Sequence, residues 1–120
     1  MVPNQPDTCL KVEPVDGVVV VRFTEEVVLS GQLATQVSDH LTSLLEDPDH
    51  QRMLLDFANV RSITSHMLGT LVTLHRKSEA VGGQLVLCNP QPVIHDIMKL
   101  NKLNQLIAVY EDEPSALDAF

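Results

Sequence analysis

The chain has no tryptophan, one tyrosine (Tyr110) and three phenylalanines in 120 residues. The aromatic platforms on which single-stranded nucleic acid stacks are therefore missing. Positive charge is scarce too. Eight Lys and Arg face sixteen Asp and Glu, a formal net charge of −8. Such a surface repels a phosphate backbone on average, so protein partners are expected and nucleic acid is not. No apolar run approaches the roughly twenty residues of a membrane span. The opening "MVPNQPDT" lacks the basic and apolar regions of a secretory signal. These absences predict a soluble cytoplasmic protein with no membrane association.

Cysteine is nearly absent. Cys9 and Cys88 fit no CxxC spacing and are too few for a disulfide framework. Cys88 lies in the apolar run "QLVLCN" and is expected as a buried small hydrophobe. The histidines stand at 40, 50, 66, 75 and 95. No two are spaced i, i+3 or i, i+4, so no helix offers a two-histidine metal face. His75 leans toward the inner side of its helix. Gly82-Gly83 is followed by no Lys-Ser/Thr pair, and no GxGxxG exists, so no phosphate loop is encoded. There is no GxSxG elbow. Ser65 and His66 are adjacent, and helical neighbours point about a hundred degrees apart, so they do not form a nucleophile–base pair. No cofactor and no enzymatic activity are expected.

What is present is a globular pattern, with 44% hydrophobic residues and a length that suits one domain over 1–120. Residues 1–8, with two prolines, read as a flexible lead-in. "CLKVEPV" and "GVVVVRF" flank Asp16-Gly17, the composition of a tight hairpin, with strands near 9–15 and 18–23. Ser30 is placed to cap a helix reaching Leu45, with Leu33, Val37, Leu41, Leu44 and Leu45 on one face. Pro48 stops it. "RMLLDF" and "QLVLC" are short continuous apolar runs, the pattern of strands covered on both faces. A second helix is predicted near 65–80, ended by Gly82-Gly83. A third starts at Pro92, with Val93, Ile94, Ile97 and Met98 inward. "LIAVYE" reads as the last strand, and Pro114 opens a short helix that buries Leu117 and Phe120. Val27 to Leu29 fit either a short strand or a segment tucked under the first helix. The order ββαβαβαβα predicts an α/β domain: one mixed, mostly parallel sheet with about four helices.

The junction "SITSHML" carries three hydroxyls, Ser62, Thr64 and Ser65, where a strand gives way to a helix. A helix start offers unpaired N–H groups and partial positive charge. A hydroxyl there can cap the helix for about 1 kcal/mol. The same geometry accommodates a phosphate. The residues alone leave both roles open for Ser65.

The pattern "LLDFANVRSITSHMLGTLVTLHRKSEAVGGQLVLCN", followed by "VIHDIMKLNKLNQLIAVYEDEPSAL", resembles the STAS domain family over roughly residues 10–118. That family is named for sulphate transporters and anti-sigma factor antagonists. In its pattern a buried strand ends in an Asp, here Asp56. Spaced apolar residues follow, here Val60 and Ile63, and then an Asp-Ser-Ser-Gly-like turn opens a helix. The resemblance implies a mixed sheet with helices and a regulatory, non-enzymatic role. Bacterial members bind a serine kinase that otherwise holds a sigma factor. The kinase phosphorylates the serine after the motif's Asp, a phosphatase reverses this, and the unphosphorylated form frees the sigma factor.

The phosphoacceptor position falls on Ser65, with Ser62 and Thr64 as rival acceptors. The motif's Asp becomes Thr64, its Ser-Gly becomes His66-Met67, and Gly69 keeps its place. The implied partner surface is Ser62, Thr64, Ser65, His66, Met67 and Gly69. Met67 puts a flexible apolar side chain on that surface. The resemblance also admits a constitutive scaffold subunit of a signalling assembly, self-association, or a module that binds nucleotides or other small ligands.

Overall fold

The computed structural model describes residues 9–120, so the lead-in expected over 1–8 lies outside the described residues. Strands β1 (Leu10–Val15) and β2 (Val18–Phe23) form the expected antiparallel hairpin. Asp16 and Gly17 both have positive φ, 51° and 80°. Two left-handed residues in a row make the turn whose twist matches the flanking strands. Three further strands extend the sheet in parallel: β4 (Arg52–Asp56) beside β2, β6 (Gln84–Cys88) beside β4, and β7 (Val109–Tyr110) beside β6. The order is β1-β2-β4-β6-β7.

Helices α1 (Gly31–Leu45), α2 (Ser65–Ala80) and α3 (Pro92–Leu100) lie between successive parallel strands. Every crossover steps the same way along the sheet, so the right-handed rule puts all three helices on one face. The strand alternation agrees. Val19, Val21, Phe23, Met53, Leu55, Leu85 and Leu87 pack with Val37, Leu41, Leu71, Leu74, Ile94 and Met98. The opposite face presents Val18, Val20, Leu54, Val86 and Cys88, covered by Ala116 of the short α4 (Glu113–Leu117). Strands β4 and β6 are thus covered on both sides, as their continuous apolar runs require, and Cys88 is buried.

Three features differ from expectation. Val60–Ile63 is an unforeseen strand, β5, which pairs in parallel with Val27–Leu29, β3, in a separate two-stranded sheet; the short strand at 27–29 was one of the two readings of that segment. Residues 60–63 carry no period-two signal because Arg61 and Ser62 both face solvent and the pairing is irregular between Val27 and Val28. The last strand is two residues long, not six. Leu103–Gln105 is a 3-10 turn entered from Lys102 at φ 58°, and Leu103 and Ile107 are spent on anchoring it in the core. Leu106 faces solvent. In α3, Ile94 and Met98 carry the burial, Ile97 is half-buried, and Val93 is exposed rather than inward.

At the helix ends, Ser30 holds the N-cap position of α1 but its side chain makes no capping bond. Gly82, at φ 78°, ends α2 in the left-handed conformation.

Candidate functional site

The two-stranded sheet sets the junction before α2. The N–H of Val27 donates to the Asn59 carbonyl at 2.9 Å, and that of Thr64 donates to the Leu29 carbonyl at 3.2 Å. Behind it, Asp56 ends β4 in a tight local turn. Its Oδ1 accepts the Ala58 N–H at 2.8 Å and its Oδ2 accepts Asn89 Nδ2 at 3.2 Å. Gln91 Nε2 donates to the Ala58 carbonyl at 2.9 Å, and Asn59 Nδ2 donates to the Phe23 carbonyl at 2.7 Å. The segment 56–64 is therefore pinned to β2, β3 and the loop after β6 before the helix begins. Asn59, Asn89 and Gln91 were not singled out from the sequence, because polar loop residues carry no periodicity to mark them.

The helix is capped by Thr64, not by Ser65. Thr64 has extended backbone, and its Oγ1 accepts the Met67 N–H at 3.2 Å. Ser65 is the first helical residue and is exposed, and no described residue hydrogen-bonds its hydroxyl. One of the two roles left open for Ser65 is thus taken by its neighbour. Replacing Thr64 by alanine is expected to cost about 1 kcal/mol. Ser65→Ala is expected to stay within about 0.5 kcal/mol of the parent. Urea denaturation of both variants checks the assignment, which fails if the two costs are reversed.

Ser62, Ser65, His66 and Gly69 are all exposed, and Thr64 is half-buried. A β-carbon on Gly69 would meet nothing within 4 Å, so packing does not require glycine there. Met67 is a correction. Expected on the surface, it is 1% exposed and belongs to the main core. The third position of a helix turns back toward the sheet, and an apolar side chain there is drawn inward. Between α1 and α2, a shallow groove lined by Ala34, Thr35, Ser38, His66 and Thr70 opens one turn into the helix from Ser65. No group of three or more His, Cys, Asp or Glu among the described residues is placed to hold a metal. No described helix is long and apolar enough to cross a membrane.

The STAS domain model matches residues 10–116. This chain belongs to the STAS family. An anti-sigma F factor antagonist from Paenibacillus polymyxa is 25% identical over 105 residues, covering 84% of this chain and 85% of that protein. The STAS fold is equally plain among solved structures. An anti-sigma factor antagonist from Mycobacterium paratuberculosis superposes with a TM-score of 0.79 at 21% identity, covering 92% of this chain and 91% of that one. The Bacillus protein SpoIIAA is solved unphosphorylated, with a TM-score of 0.72, and phosphorylated, with 0.68. Both forms are 21% identical and cover 92% of this chain, with 94% and 97% of their own chains covered. Asp56 closes the buried strand, and Thr64 stands at the N-cap of α2. Its hydroxyl does for the helix what an Asp carboxylate at the N-cap would do.

Proposed function

We propose that this STAS domain regulates a protein partner as an anti-sigma factor antagonist, under the control of reversible phosphorylation at Ser65. One observation carries the reading. The Ser65 hydroxyl is exposed at the first position of α2, while Thr64 does the capping. A phosphate on Ser65 would sit at the positive end of a sixteen-residue helix, where the free N–H groups favour an anion. The domain would keep its fold. A partner seated across Ser62, Ser65, His66 and Gly69 would meet about two new negative charges and a large polar group. Ser62 is the rival acceptor, exposed on β5, whereas the Thr64 oxygen is already committed to Met67.

The partner is an anti-sigma factor with serine kinase activity, and a phosphatase resets the switch in the cytoplasm. The relatives named as anti-sigma factor antagonists support the partner, and SpoIIAA's phosphorylated form supports the modification.

The test is to incubate the chain with an anti-sigma-factor serine kinase and ATP, then map phosphate by mass spectrometry. Modification at Ser65, lost in Ser65→Ala, is expected. Ser65→Asp is expected to weaken kinase binding by about tenfold or more, equivalent to about 1.4 kcal/mol. Its melting point should hold, because an acid at a helix start is favourable. Phosphate found only outside 62–65 overturns the switch. Full partner binding by Ser65→Asp leaves a constitutive scaffold instead.

A further inference from the structure

A cleft of about 510 Å³ opens where α3 meets β7. Pro92, His95 and Asp96 line it from α3, and Val109, Tyr110 and Glu111 line it from the strand and the residue after it. None of them belongs to the surface around Ser65. Ligand clefts run from about 300 to 1,000 Å³.

Strand β7 is the last of its sheet, so one side of it is open. The N–H groups of Leu87 and Asn89 donate to the Ala108 and Tyr110 carbonyls, at 3.0 and 3.1 Å. Residues 108 and 110 therefore turn their peptide groups toward β6. Val109, between them, turns its own N–H and carbonyl outward. An outward donor and acceptor on a sheet edge are a template for one more strand. The opposite edge is blunted. The Cys9 carbonyl accepts the Thr24 N–H at 2.8 Å, so the even-numbered residues of β1 face outward, and one of them, Pro14, has no N–H to give.

Side chains follow the same alternation. Val109 packs with the cluster on the helix side of the sheet and Tyr110 with the cluster on the other side. Glu111 returns to the side of Val109, where Asp96 also lines the cleft. The cleft thus holds two carboxylates and no Lys or Arg. Both are exposed, and no described residue makes a hydrogen bond or ion pair with either side chain. The start of α3 alone would draw an anion, with about half a positive charge. Pro92 removes one of its N–H groups, and the charges of Asp96 and Glu111 outweigh the rest. The field in the cleft favours a cation.

We propose that the open edge of β7 docks an extended segment of a partner protein, with its basic side chains set against Asp96 and Glu111. The segment pairs with Val109 as an added strand. Its side chains alternate, so an Arg or Lys at every second position faces α3. Arginine suits the cleft best, because its fork meets a carboxylate with two parallel bonds. Affinity is modest, since exposed ion pairs contribute little and Val109 offers only one donor and one acceptor. The site is independent of Ser65 and works whether or not that serine carries a phosphate.

The docking is read by NMR, titrating the isotope-labelled chain at low ionic strength with the capped hexapeptide Arg-Val-Arg-Val-Arg-Val. Saturable shifts are expected at the amides of Asp96, Val109 and Glu111, with a dissociation constant of about 1 mM. Asp96→Asn combined with Glu111→Gln should weaken binding about fivefold, the worth of two exposed ion pairs. The fold should hold, because both side chains are exposed and bond to no described residue. A peptide with glutamate in place of arginine should not bind, and raising the salt to about 0.5 M should weaken the complex. The proposal is overturned by no saturable shift up to about 10 mM, by shifts confined to other elements, by equal binding of the glutamate peptide, or by unchanged affinity in the double variant. Arginine amide binding as tightly as the hexapeptide overturns it too, because the strand edge would then add nothing.

Discussion

Replacing Gly83 by alanine is expected to destabilise the domain by about 3 kcal/mol, the upper end for overpacking. A β-carbon there would stand 2.9 Å from the Gln51 carbonyl carbon and closer still to its oxygen. That obstacle is backbone and cannot rotate away. It is also committed: the Gln51 carbonyl accepts the Gln84 N–H at 2.8 Å, at the start of the β4–β6 ladder. Relief would mean separating the strands or unseating the end of α2, where the Gly83 N–H donates to the Ser78 carbonyl at 2.8 Å. The melting point should drop by about 10 °C, readable by circular dichroism. A loss under about 0.5 kcal/mol would show that the turn before β4 yields freely. Gly82 is demanding for another reason. It meets nothing within 4 Å, and its cost comes from φ 78°, about 1–2 kcal/mol for a residue with a β-carbon.

The second large effect is expected at Phe57. Phe57→Ala should cost about 4 kcal/mol, as for other buried phenylalanines. Phe57 is 1% exposed and meets the Phe23 ring edge-on, with centroids 6.2 Å apart and planes at 73°. It is the first residue beyond β4, and its backbone links two sheets: its N–H donates to the Cys88 carbonyl and its carbonyl accepts the Val60 N–H, both at 2.9 Å. Phe57→Leu, which keeps most of the volume, should lose less than about 1.5 kcal/mol. Urea midpoints for the pair separate the ring's contribution from the backbone's. Equal losses would mean that the site collapses onto neither side chain.

Wherever one residue's period tells which way it faces, the fold was legible in the sequence. Asp16-Gly17 marked the hairpin, and of the five residues read onto one face of α1, Val37, Leu41 and Leu45 are buried, Leu33 and Leu44 are half-buried, and Ala34, which was not read, is buried with them. The continuous runs of β4 and β6 announced a sheet covered twice. Legibility failed where burial and period part company. Strand β5 puts Arg61 and Ser62 outward together, so no alternation betrays it. Leu106 and Ile107 looked like strand residues, but only Ile107 is buried, at the end of a 3-10 turn. At the candidate site, three neighbouring hydroxyls could each cap the helix. Only backbone angles distinguish Thr64, the cap, from Ser65, already helical. The ion pair that ties α4 to β2 was beyond reach for another reason: Arg22 donates to Glu113 across 91 positions of sequence, and neither has a local pattern that points to the other.

The small β3–β5 ladder governs how α2 begins. It clamps the chain on the near side of Ser65, and the first turn of the helix holds it on the far side. Any enzyme that worked on this serine would have to accept a shaped, prefolded contour and could not thread the chain through a cleft as a loose strip. Its selectivity would then rest on tertiary shape more than on flanking letters.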